Sequence, residues 1–84
     1  MDQKPPYKEF LSFAQTLADQ SRSMLLTAAA TKPNVEIKQD DTFVTATDRA
    51  IEASLRHLIA KTYPGHGILG EEFANQNTDA EFVW

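Results

Sequence analysis

Two adjacent acids, Glu71 and Glu72, follow a short run that carries all three glycines of the chain, Gly65-His66-Gly67-Ile68-Leu69-Gly70. Two apolar residues between glycines, running straight into carboxylates, predict a short buried strand that delivers an acid at its C-terminal end. Neighbouring side chains point to opposite faces of a strand and lie about 100° apart on a helix, so the two glutamates do not converge on one point. One addresses a site; the other faces solvent or supports from behind. Carboxylate oxygens suit magnesium, which keeps several waters and takes a few acids plus substrate phosphate. Asp48, at the expected start of a helix, is placed to orient a nucleophile or a ligand, although capping is the plainer reading of an aspartate there. His66 could serve as a ligand, but its Pro-Gly-His-Gly setting favours a hydrogen bond that fixes the turn. No Ser-His-Asp or Cys-His set is legible, and no glycine-rich phosphate loop has the usual spacing.

These residues need elements to hold them. Pro5-Pro6 closes a polar tail and opens a helix, because proline at the first helical position loses no hydrogen bond. From Tyr7 to Ala30, Phe10, Phe13, Ala14, Leu17, Ala18, Ser21, Met24 and Ala28 recur at three- and four-residue steps and form one stripe. Such a helix is roughly 35 Å long, which suits a cover packed on something larger. Thr31-Lys32-Pro33-Asn34 breaks it. Val35-Glu36-Ile37-Lys38 alternates as a half-buried strand does, and Phe43-Val44-Thr45 is its expected hairpin partner across a Gln39–Thr42 turn.

Thr45 and Asp48 have capping-box spacing and predict the start of a second helix of about 17 residues that Pro64 ends. Its apolar stripe is Ile51, Leu55, Leu58, Ile59 and Thr62, with Arg49, Glu52, Arg56 and Lys61 facing out and His57 beside the stripe without a role. Asn75 to Asp79 reads as a surface loop. Phe82-Val83-Trp84 begins an apolar run that stops after three residues, so the chain is expected to be a truncated piece of one domain.

The totals fit that picture. Eighty-four residues make one small domain of marginal stability. With no cysteine, disulfides cannot supplement the core, which favours a reducing, cytoplasmic location. Residues Met1 to Lys8 lack a signal-peptide core, and no run approaches the ~18 apolar residues of a membrane helix. A net charge of -4 spread along the chain argues against a nucleic-acid face.

Two segments, taken together, resemble a known family. Lys38-Gln39-Asp40-Asp41-Thr42-Phe43-Val44-Thr45-Ala46-Thr47-Asp48-Arg49-Ala50 looks like the Lys-x-Asp…Val-Thr-x-x-Asp segment of the inositol monophosphatase family. Tyr63-Pro64-Gly65-His66-Gly67-Ile68-Leu69-Gly70-Glu71-Glu72-Phe73 looks like its Tyr/Phe-Pro-x-His-x-Ile-x-Gly-Glu-Glu segment. The order and the intervening helix agree, and the resemblance covers nearly the whole chain. His66 to Phe73 and the short Lys38–Val44 turn are most similar to bacterial histidinol-phosphate phosphatases, although Phe43 stands where many of those have proline.

The resemblance implies a layered α/β (α+β) phosphatase fold of αβαβα type, Mg2+ as cofactor, hydrolysis of a small phosphate monoester and often a homodimer, while charge and hydropathy speak against a nucleic-acid or membrane partner. It matches Glu71 to a metal-binding glutamate that also positions the attacking water. Asp48 corresponds to an aspartate that supports the metal site and the nucleophile. Glu72 falls at a position acting from behind the ligands. Lys38 and Asp40 fall in a loop near the active site. The family's Asp-Pro-Ile/Leu-Asp-Gly-Thr motif, which supplies further metal ligands, is absent and would follow a strand like Phe82-Val83-Trp84. Residues 1–84 are therefore expected to be an N-terminal fragment of a single phosphatase domain, inactive by itself. The alternatives are an inositol-1-monophosphatase or related enzyme, and a non-catalytic helical module that docks on another chain through the stripe of the first helix.

Overall fold

The computed structural model describes residues 4–31 and 37–84, with side-chain surroundings described for 4–30 and 45–84. Two helices dominate: α1, Tyr7–Thr31, and α2, Ile37–Thr62. Helix α1 starts where the prolines predict, with the Tyr7 N–H donating to the Pro5 carbonyl and the Phe10 N–H to that of Pro6. The expected stripe is the one that faces inward. Phe10, Phe13, Ala14, Leu17, Ser21, Met24 and Ala28 are half-buried; Ala18 is exposed, as are Leu11, Leu25 and Leu26 outside the stripe.

The helices run antiparallel. Glu9 near the start of α1 meets Tyr63 just past the end of α2, and Gln20 Nε2 donates to Ser54 Oγ at 3.0 Å in the middle. At the other end, Ser23, Met24, Thr27 and Ala28 face Ala46, Thr47, Ala50 and Ile51 across a groove of about 380 Å³. Small residues on both helices leave that groove open. Ile51 and Ile59 from α2 and Ile68 beyond it are the buried apolar side chains among the described residues. Burying one such side chain is worth about 1.5–3 kcal/mol, so this core is thin for the length of helix it holds.

The start of α2 differs from expectation. A hairpin was expected over 35–45, yet Ile37 to Thr45 is helical and Thr45 lies inside α2 rather than at its cap. Val35 and Glu36 lie outside the described residues. The sequence has no glycine or proline between Ile37 and Thr62, so nothing forces a break there. A lone two-stranded hairpin is marginal in water, whereas a helix satisfies its backbone internally.

The far end of α2 is as expected. Lys61 sits in the last turn, the Tyr63 N–H donates to Ile59, and Pro64 follows. The His66 N–H closes a turn on the Tyr63 carbonyl at 3.0 Å. The chain then runs Gly67-Ile68-Leu69 between two partners. Gly67 bridges Val83 in parallel and Ile68 bridges Gln76 in antiparallel fashion. These are isolated bridges; among the described residues no longer strand forms. Ile68 is buried, but Leu69 is 60% exposed, so only one of the two apolar residues enters the core.

Gly67 is needed at its bridge for space. A Cβ there would run into the Asn77 backbone carbonyl and Val83 Cγ2. Asn77 itself takes a left-handed backbone (φ 53°), a conformation asparagine tolerates better than most residues, and its side-chain amide donates to the Gly65 carbonyl at 2.9 Å.

Candidate functional site

The chain leaves the Ile68 bridge, passes Gly70 and turns through Glu71, Glu72 and Phe73. What holds this turn is a side chain from α2. The Glu52 carboxylate accepts three backbone N–H groups: Glu71 and Glu72 both donate to Oε1 at 2.9 Å, and Phe73 donates to Oε2 at 3.1 Å. Three successive amides aimed at one anion form a nest, here filled from within the chain.

Arg56, one helical turn beyond Glu52, completes the arrangement. Its Nε and its terminal nitrogen both reach Glu52 Oε2 at 2.9 Å, and the same terminal nitrogen donates to the Phe73 carbonyl at 3.1 Å. The guanidinium also lies 5.8 Å from the Phe73 ring centroid, and that of Arg49 lies 5.2 Å from it. Gly70 permits the close approach, because a Cβ there would collide with the Glu52 carboxylate and the Arg56 guanidinium. The Gly70 N–H is itself held by Asn75 Oδ1 at 3.0 Å.

Hydrogen bonds from the Glu72 amide above all, then from Arg56 and the Glu71 and Phe73 amides, hold the Glu52 carboxyl below its ordinary range, with desolvation opposing them. Sequence reading put Glu52 and Arg56 on the solvent face, yet each side chain is only 16% exposed. An i,i+4 Glu–Arg pair on a helix normally stays in solvent. The signal that could have found them is the glycine directly before the acids, which marks a place where something approaches the backbone closely.

Glu71 is exposed and Glu72 half-buried, in a turn rather than on the expected strand. Asp48 is exposed one turn before Glu52 on the same face of α2, about 6 Å along the helix axis, so it lies on the side that carries the 71–73 turn. Among the described residues no hydrogen bond or ion pair joins Asp48 to Glu71. Lys38 and Asp40 belong to the first turn of α2, and their side chains lie outside the described set. Among the described residues no three Asp, Glu or His side chains converge as a divalent cation requires. The residues described do not, by themselves, make a metal site.

His66 has the structural role favoured by its turn. Its Nδ1 accepts the Trp84 indole N–H at 2.9 Å, and its ring stacks on Tyr63 with centroids 4.5 Å apart. Phe10 and Phe13 from α1 meet Tyr63 and Trp84 edge-on, and Phe10 also meets Phe82. Tyr63 donates its hydroxyl to Glu9, and that bond, with some desolvation, raises its pKa to about 12. His57 is exposed. No helix among the described residues is long and apolar enough to cross a membrane.

Comparison with known proteins gives a consistent picture. Human inositol monophosphatase 1 is 37% identical over 68 residues, which is 80% of this chain and 24% of the human protein. The histidinol-phosphatase of Mycobacterium tuberculosis (strain ATCC 25618 / H37Rv) is 35% identical over 75 residues, covering 88% of this chain and 29% of that enzyme. A fructose-1,6-bisphosphatase/inositol-1-monophosphatase of Aquifex aeolicus (strain VF5) is 32% identical over 53 residues, 63% of this chain and 20% of the relative. The chain thus spans about a quarter of the length of the curated relatives it matches. No solved structure gives a significant match. The family model described as "Inositol monophosphatase family" matches residues 7–84, nearly the whole chain, and the chain belongs to that family.

Proposed function

We propose that these 84 residues are the N-terminal part of one magnesium-dependent phosphomonoesterase domain of the family's α/β fold, with histidinol phosphate as the preferred substrate of the intact protein. The observation that carries this reading is the exposed Glu71 carboxylate, on a turn whose backbone Glu52 and Arg56 fix from behind. A rigidly rooted acid suits phosphoryl transfer, which depends on positioning and charge rather than on covalent work by the protein. In this reading Glu71 is the metal-binding acid, Asp48 supports it from the same side of α2, and Glu72 acts from behind. Lys38 and Asp40, in the first turn of α2, stand roughly 18–21 Å along the helix from Glu52 and take no part in it.

One exposed carboxylate does not hold a divalent cation. In this reading the remaining acidic ligands come from further polypeptide of the same domain, and the 84-residue chain is inactive alone. The shape of the molecule supports this. Its surface of 6507 Å² exceeds the roughly 5,000 Å² of a compact monomer of its mass. Its radius of gyration of 15.8 Å exceeds the about 12 Å of a compact domain of its length. A face this open suits further polypeptide of the same domain packed against the helices, and the intact protein is read as a cytoplasmic homodimer.

The histidinol preference rests on the likeness of His66 to Phe73 to that group of enzymes and on the mycobacterial relative. The test is phosphate release by the intact protein from histidinol phosphate and from inositol phosphate, with and without Mg2+. Faster turnover of histidinol phosphate, lost in Glu71→Ala, is expected. Equal or reversed preference overturns the substrate assignment, and Mg2+-dependent release by the 84-residue chain above its Glu71→Ala control overturns its inactivity.

A further inference from the structure

We propose that Glu52 is a positioning residue for Glu71: its carboxylate, braced by Arg56, fixes the backbone at 71–73 and so sets where the Glu71 carboxylate stands. This rests on the phosphatase reading above for its catalytic consequence, and on geometry alone for its structural one. An ordinary helix-surface glutamate makes at most an i,i+4 pair. Glu52 makes that pair and also accepts three consecutive amides from a segment 19 to 21 residues further along the chain.

The division of labour between its oxygens is specific. Oε1 takes Glu71 and Glu72; Oε2 takes Phe73 and both Arg56 donors. Every one of these partners donates, so the position needs two acceptor oxygens on one group. Glutamine supplies one acceptor and one amide NH2, which would point at donors in either orientation. Arg56 does more than neutralise Glu52, because it also ties down the Phe73 carbonyl on the far side of the turn. Gly70 leaves the space these two side chains occupy. The turn that roots Glu71 is therefore held at both its amides and its exit carbonyl, while the Glu71 side chain itself stays exposed. Displacing the root of a reacting group by about 1 Å can cost on the order of 100-fold in rate.

Two readouts separate this role from general stability. In the 84-residue chain, amide hydrogen exchange followed by NMR compares wild type, Glu52→Ala, Glu52→Gln and the exposed control Glu81→Ala. Roughly tenfold or faster exchange at Glu71, Glu72 and Phe73 is expected in both Glu52 variants. The Trp84 indole N–H, bonded to His66 at the other side of the bridge segment, should keep its wild-type shift in all four proteins. If Glu52→Ala unfolds, Glu52→Gln, which keeps the side-chain volume, decides. Unchanged exchange at the three amides, or equal acceleration at all amides, overturns the proposal.

In the intact protein, Glu52→Gln should lower kcat by roughly 100-fold with KM within about threefold of wild type, while Glu81→Ala is unchanged. Unchanged kcat, or a loss confined to KM, overturns the positioning role even where the exchange result holds. If wild-type intact protein releases no phosphate, the function reading falls, and the exchange experiment alone decides the placement of the turn.

Discussion

The segment Gly67 to Phe73 is anchored through its backbone at both ends, but against different surroundings. At its beginning Gly67, Ile68 and Leu69 exchange backbone hydrogen bonds with Phe82, Gln76 and Trp84, beside an aromatic cluster of Phe10, Phe13, Tyr63, His66, Phe82 and Trp84. Its end is held by Glu52 and Arg56 through hydrogen bonds to backbone. The aromatic end gains from area and ring geometry, which tolerate small displacements. The polar end gains only when donors and acceptors align, and it weakens steeply when they do not. Ring packing therefore backs the backbone bonds near Gly67, whereas the turn at Glu71 rests on one charged side chain and its arginine.

The sharpest way to break this contrast is at the aromatic end. Phe10→Ala removes the ring that Tyr63, His66, Phe82 and Trp84 share. A loss of about 3 kcal/mol is expected, read as a collapse of near-UV circular dichroism and a red shift of Trp84 fluorescence. Retention of both signals would mean the cluster does not carry the fold.

The two glycines give the next test. At Gly67 an added Cβ meets backbone, which cannot retreat, and about 2 kcal/mol is expected for Gly67→Ala in denaturant unfolding. At Gly70 it meets the tips of two flexible side chains, so Gly70→Ala should cost about 1 kcal/mol or less while still exposing the 71–73 amides. Equal costs at the two positions would erase the distinction between the ends.

Acid should separate them further. The folded-state pKa of Glu52 is depressed, so its contribution is present above the unfolded carboxylate pKa and is lost as pH falls through the folded value. Below the ordinary carboxylate range, the 71–73 amides should lose protection before the Trp84 indole does. Simultaneous loss would show one cooperative unit.

The smallest effect is at Tyr63. Its pKa is raised, so the bond to Glu9 contributes below the unfolded tyrosine pKa and is lost as pH rises through about 12. Ultraviolet titration should show Tyr63 ionising near that value, and Glu9→Gln should bring it down. An unchanged titration in Glu9→Gln would remove the Glu9 bond from the account.

Much of the scaffold is legible from residue order. The stripe from Phe10 to Ala28 and the stop at Pro64 follow from helical periodicity and from the missing proline N–H. Glu71 and Glu72 do differ in exposure, but they lie in a turn and not on the strand that was expected to separate them. The hairpin over 35–45 was not recovered. Its alternating pattern is only a bias, and a strand is stable when another strand accepts its hydrogen bonds. At 37–45 the helix satisfies them locally.

The residues around Glu71 divide the same way. The Gly70-Glu71-Glu72 order by itself places acids at the end of a short apolar run, because glycine and alternation are local properties of the chain. That Glu52 and Arg56 reach back to hold that turn is a tertiary fact. Both look like a solvent-facing pair until chain some twenty residues away folds over them, since one carboxylate can satisfy either water or the amides of 71–73, and only the packed structure brings the amides there.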